Sequence, residues 1–201
     1  MFTGRDLKTD HMLFLIKAIA LFNANEHQEA MLRIGELTAS PDIDPIACRI
    51  VEAYLRVQLG NIALDGARYN EAVEHFTAAV NASAFFYKSP IHLTYDEFVA
   101  LFGWNLKSLW QTANQQQCYA LFRAGSFGAA IESYQSIMDK IDDDMKGNFR
   151  VWFTGKHSVI SPYLSVHNHQ LHFTQVLSKI KTRSILPMEM VHSQRTVVRM
   201  I

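Results

Sequence analysis

Leu59-Gly60, followed nine residues on by Tyr69-Asn70-Glu71-Ala72-Val73-Glu74-His75-Phe76-Thr77-Ala78-Ala79, is the stretch that decides the architecture. Small residues at Gly60, Ala72 and Ala79 alternate with large ones at Leu59, Tyr69 and Phe76. Apolar positions recur three and four apart, the period of a helix with one buried face. Two antiparallel helices approach closely only where a small side chain on one faces a large one on the other. Gly60 and Ala72 are therefore expected to form the close contact between a leading and a trailing helix.

The same order of sizes recurs on both sides. Aligned on Ala130, Cys118 takes the first small position, Leu121 and Phe127 the large ones, and Tyr134 the place of Phe76. Aligned on Ala30, Ala18 is the small partner, with Leu21, Ile34 and Leu37 as the apolar set. This pattern resembles the tetratricopeptide repeat, a helical hairpin of about 34 residues. The resemblance places three copies near 11–44, 53–86 and 111–144, about half of the chain. It implies an all-α solenoid of stacked hairpins with Ala18, Ala30, Gly60, Ala72, Cys118 and Ala130 as the small packing positions. Ala84 stands where the family usually has proline.

Unequal spacing between copies predicts inserted material. Asp44-Pro45 supplies a cap and a first-turn proline, so the second leading helix is expected to start near Pro45. Thr94-x-x-Glu97 reads as a capping box, with Leu93 and Phe98 placed as its hydrophobic staple. One inserted helix is expected there, carrying Phe98, Leu101, Phe102, Leu109 and Trp110 and running on into the third repeat. Asp142-Asp143-Asp144 predicts a further helix to about Phe153, with Met145, Phe149 and Trp152 on one face.

Charge separates this array from the C-terminal part of the chain. Residues 1–155 hold 13 Lys+Arg against 18 Asp+Glu, whereas 156–201 hold 6 against 1 and are rich in Ser and His. The boundary is placed at Gly155, with a basic C-terminal tail, broken by Pro162 and Pro187, whose fold the sequence does not define. A short helix over Gln170–Ile180 is the one element expected in it. The abrupt change is consistent with an alternative transcript.

Few function classes besides binding find support. A balanced total of 19 basic and 19 acidic residues gives no footprint for nucleic acid. The apolar run Met12–Phe22 is interrupted by Lys17 and is too short for a membrane span. Cys48 and Cys118 lie far apart in apolar surroundings, as expected of reduced thiols in an intracellular, cytoplasmic protein. His167-x-His169-x-x-His172 is the densest set of metal-capable side chains, but no carboxylate or thiol stands beside it to complete or orient a site. Asp142-x-Asp144-x-Lys146-Gly147 imitates a calcium loop with a cation in a ligand position. No phosphate-cradling loop or nucleophile motif occurs, so the expectation is no enzyme, no cofactor and no metal.

The resemblance implies a partner protein in a groove lined by the leading helices. Its residues would be Met12, Leu15, Ile19 and Phe22 from the first copy, Tyr54, Val57, Asn61, Leu64 and Asp65 from the second, and Gln115, Tyr119, Phe122 and Arg123 from the third. Mostly apolar or aromatic, they suit an amphipathic helix or hydrophobic peptide, with Asn61, Asp65, Gln115 and Arg123 setting its direction. The competing expectation is that these aromatics pack against the inserted helix or neighbouring repeats. Some members of the family grip acidic chain termini with basic residues; here Asn61 stands at the first clamp asparagine, but Val57 replaces the lysine one turn earlier. Gln115–Gln117 stand where the third copy would need basic residues, which puts that specialised role in doubt. As alternatives, the basic tail binds an anionic surface or folds back as a lid over the acidic array, and an uncharacterised enzyme ranks below both. An uncovered end of the stack would permit self-association.

Overall fold

The computed structural model describes residues 4–164, which are all-helical with no strand among them. Three helical hairpins run along the chain: α1 (Gly4–Asn23) with α2 (His27–Ala39), α3 (Pro45–Asp65) with α4 (Tyr69–Ala82), and α7 (Leu106–Arg123) with α8 (Phe127–Met138). Between the second and third lie a single 3-10 turn, Phe86–Lys88, and two short helices, α5 (Ile91–Thr94) and α6 (Asp96–Phe102). A last helix, α9, spans Asp143–Leu164.

The hairpins share one turn, bond for bond. The residue two before each trailing helix has positive φ: 65° at Asn25, 56° at Ala67 and 76° at Gly125. The next residue's N–H reaches back to the leading helix, Glu26 to the Leu21 carbonyl at 3.0 Å, Arg68 to Ala63 at 2.8 Å and Ser126 to Leu121 at 2.9 Å. That residue's own carbonyl then accepts the N–H of Ala30, Ala72 or Ala130, each at 3.0 Å. A left-handed residue with a six-to-one bond is how a helix closes its last carbonyls before reversing direction. The equivalence falls on Ala30, Ala72 and Ala130, the register given by the pattern of small and large residues.

Small positions sit where helices meet. Ala18, Ala30, Ala72, Cys118 and Ala130 have no exposed surface, and Gly60 is buried. A Cβ built on Gly60 would lie 2.5 Å from Phe76 Cε1, so the close contact expected at Gly60 and Ala72 is made by Gly60 against the ring one turn beyond Ala72. Each later hairpin packs its leading helix on both helices of the one before: α3 on α1 and α2, α7 on α3 and α4.

Asp44 starts α3 as expected, its Oδ1 accepting from the Ile46 and Ala47 N–H groups at 2.9 and 3.4 Å, with Pro45 in the first turn. The insertion departs from expectation. Thr94 ends α5 instead of capping a helix, Tyr95 precedes α6 with no side-chain cap, and Leu93 is 71% exposed, so neither box nor staple forms. Gly103, at φ 66°, stops α6, and α7 begins separately with Asn105 Oδ1 accepting from the Ser108 N–H at 3.2 Å. The physical reason is a distant bond: Tyr95 donates its hydroxyl to Asp44 Oδ2 at 2.7 Å, fixing the chain just where the box would have needed helix.

The helix expected over 142–153 is present and longer. Asp142 Oδ1 accepts from the Met145 N–H at 2.9 Å, and Phe149 packs at 5.7 Å from the Tyr134 ring. The backbone stays helical past Gly155, so the compositional break falls inside α9, and Pro162 comes so close to the end of the helix that it interrupts little of it. The chain divides after Arg150 into two units, with α9 crossing the division. The expected helix over 170–180 and the histidines 167, 169 and 172 lie outside the described residues.

Candidate functional site

The leading helices adjoin in succession, α1 beside α3 and α3 beside α7, and the face they present is the surface to examine. Packing has already used part of it. Leu15, Ile19 and Phe22 are 1%, 3% and 7% exposed, and Val57 and Phe122 are 4% exposed, so these five belong to the core. Of the expected groove residues, Met12, Tyr54, Asn61, Leu64, Gln115 and Tyr119 are half-buried, and Asp65 and Arg123 are exposed.

The insertion covers the Tyr54 end of this face. Trp104 stacks on Tyr54 at 3.8 Å between ring centroids and 11° between planes, and Phe98 also lies parallel to Trp104, at 5.4 Å and 6°. Phe98 is fully buried and approaches Tyr95, whose hydroxyl is tied to Asp44. A ladder of rings thus runs from α3 through the insertion and back to the start of α3. For Tyr54 the competing expectation holds: the ring packs against the insertion. Beside the ladder, Phe22, Tyr54, Gln58 and Phe102 line a cleft of about 270 Å³. The six-residue spacing from Phe98 to Trp104 matches no helical face, so no periodicity signal marks Trp104; only tertiary packing does.

At the other end of α7, Arg123 donates to the Tyr119 hydroxyl at 2.9 Å and to the Tyr69 hydroxyl. Its guanidinium lies over the Tyr69 ring, 4.5 Å from the centroid. The bond to Tyr119 is the main reason that Arg123 is held above its ordinary value. The structure therefore brings Tyr119 and Arg123 together with Tyr69, a residue assigned to packing from sequence. Asn61, Leu64 and Asp65 follow one another along the final turns of α3, ahead of this cluster.

A charged chain runs along the α3–α4 interface. Glu52 Oε1 lies 3.9 Å from Arg56 Nε, Arg56 lies 3.4 Å from His75 Nδ1, and His75 Nε2 lies 3.8 Å from Glu71 Oε1. Glu71 in turn pairs with Arg68 at 2.7 Å. Burial, reinforced by Arg56, lowers His75 below its ordinary value. At the junction of α4, α7 and α8, Gln117 donates to Thr77 at 2.9 Å and accepts from Ser133 at 3.0 Å, while Cys118 lies 3.4 Å from the Ser133 hydroxyl.

These groups stitch helices together. Burial pushes the Cys118 thiol up to about 11 and raises Cys48 as well, so neither supplies a thiolate at neutral pH. Among the described residues no three His, Cys, Asp or Glu side chains come together as a metal site, and no helix is long and apolar enough to cross a membrane.

Compared with known proteins, the chain matches no family model, no curated protein and no solved structure.

Proposed function

We propose that this chain is a protein-interaction scaffold of the tetratricopeptide kind, holding an amphipathic helix or hydrophobic peptide against the face shared by α1, α3 and α7. The observation that carries the reading is the recurrence of one turn in all three hairpins, at the register given by the small residues. A repeated hairpin whose leading helices adjoin presents its side chains in rows, and such surfaces suit extended or helical ligands better than small molecules.

The open part of the face is its α3–α7 end. Asn61, Leu64, Asp65, Gln115 and Tyr119 supply the mixture of apolar area and polar groups that orients a ligand. The Tyr54 end is occupied by Trp104 and acts as a wall. An intracellular, cytoplasmic setting goes with this reading, since both thiols are buried and unpaired.

Photoreactive side chains test it. Placed at Asn61 and at Asp65 they should crosslink a defined set of proteins, and placed at Glu74 and Gln135 on the trailing helices they should not. Equal crosslinking from both faces would overturn the assignment.

A further inference from the structure

Resting on the scaffold reading, we infer that the edge where the second and third turns adjoin grips a single carboxylate of the partner, with Arg123 as the principal ligand and Arg68 beside it. The two arginines and Tyr69 line a cavity of about 340 Å³, together with Glu71 and the backbone of both turns.

Arg123 is held rigid without being neutralised. Its two bonded acceptors are the hydroxyl oxygens of Tyr69 and Tyr119, not carboxylates. No carboxylate among the described residues pairs with it, whereas Arg56 and Arg68 each have one and Arg33 has two. A guanidinium has five N–H donors, so three remain for a ligand after those two bonds. The contact with the Tyr69 ring and the two hydroxyl bonds restrain the fork, and a restrained fork is what two-point recognition of a carboxylate requires.

Charge selects the ligand class. Arg68 is compensated by Glu71 at 2.7 Å, which leaves the cavity with the one positive charge of Arg123. A carboxylate balances that charge. A phosphate dianion would bring a second negative charge beside Glu71, and a run of acidic residues would meet an array that has 18 acidic against 13 basic residues over 1–155. The match is therefore one carboxylate in an otherwise neutral stretch, either a chain terminus or an isolated Glu or Asp side chain.

The test is NMR titration of arginine Nε–H signals in the full chain at low salt, with three probes: N-acetylleucine for a chain terminus, N-acetylglutamic acid α-amide for a side chain, and inorganic phosphate. Saturable shifts at Arg123 with either carboxylate support the inference, and the tighter of the two identifies the source. Arg123→Gln should weaken binding about tenfold, the loss of a charge-assisted two-point contact. Tyr69→Phe, which keeps the ring, should weaken it less and serves as a variant with the packing preserved. Arg33, paired with Glu29 and Glu36, is the internal control. Shifts at Arg33 that parallel those at Arg123, or no saturation at all, mean an adventitious ion only and overturn the inference, as does tighter binding of phosphate. Failure here, with crosslinking still confined to Asn61 and Asp65, removes the anchor and leaves the scaffold standing. Saturable carboxylate binding with crosslinks on every face removes the groove reading alone.

Discussion

Gly60 concentrates the packing problem in one atom. Alanine there would gain about 1 kcal/mol of helix propensity, but its methyl would meet the Phe76 ring at 2.5 Å in a fully buried layer. Overpacking of that kind costs about 1–3 kcal/mol, and the ring, enclosed on every side, cannot swing away. Gly60→Ala is therefore expected to lower the denaturant midpoint, and Phe76→Leu to recover much of the loss when combined with it. Additive effects in that double-mutant cycle would show that the two residues do not meet. His75 governs a pH response through burial first and Arg56 second, both of which lower it. Because the unfolded imidazole binds protons more readily, this contribution to stability is complete above the ordinary value of 6.5 and is lost as pH falls from there through the lowered folded value. Between about pH 7.5 and about pH 5.5, His75→Gln should flatten the decline in stability seen in the parent chain; parallel declines would remove His75 as the cause.

Turns and insertion respond to different rules at the scale of the element. Ala67 adopts φ 56°, a conformation that glycine accepts and alanine resists. Ala67→Gly should stabilise the protein by about 1 kcal/mol, measured by chemical denaturation; a loss of stability would mean that the methyl has a packing role the turn geometry hides. The ring ladder is the insertion's core, so Trp104→Ala should cost about 3–5 kcal/mol and open residues 86–105 to limited proteolysis. Resistance equal to that of the parent would show the segment is held elsewhere. The hairpins were legible because each is local: a notch, a large residue and a helical period, all within some 30 residues. The insertion was not, since Thr94-x-x-Glu97 satisfies every local rule for a cap while Tyr95 bonds to Asp44, 51 residues away. Likewise, Leu15, Ile19 and Val57, expected from spacing to line the groove, are buried in the core, where α1 and α3 each pack on more than one helix. No pairwise spacing along one helix reveals how near the next helix lies.

Across the whole molecule, contact is unevenly shared. Helix α3 touches α1, α2, α4 and α7, and α7 touches α3, α4, α5 and α8, whereas α8 packs mainly on α7. Amide exchange should follow that order, slowest in α3 and the adjoining faces of α4 and α7, faster in α2 and α8. Exchange in α8 as slow as in α3 would contradict a stack held from its centre. The division after Arg150 and the change of charge balance read from the sequence at Gly155 fall at different residues. The two boundaries measure different things: contacts record where the hairpins stop supporting the chain, and composition records where acidic residues give way to basic ones.

Three different residues, Asn25, Ala67 and Gly125, occupy the same corner with the same hydrogen bonds. A corner that accepts all three is set by the rods it joins, and the residue placed there only adjusts how comfortably it bends. The three-residue links 24–26, 66–68 and 124–126 should accordingly be exchangeable like identical hinges on three doors, leaving every helix in register while changing what each corner shows to the outside.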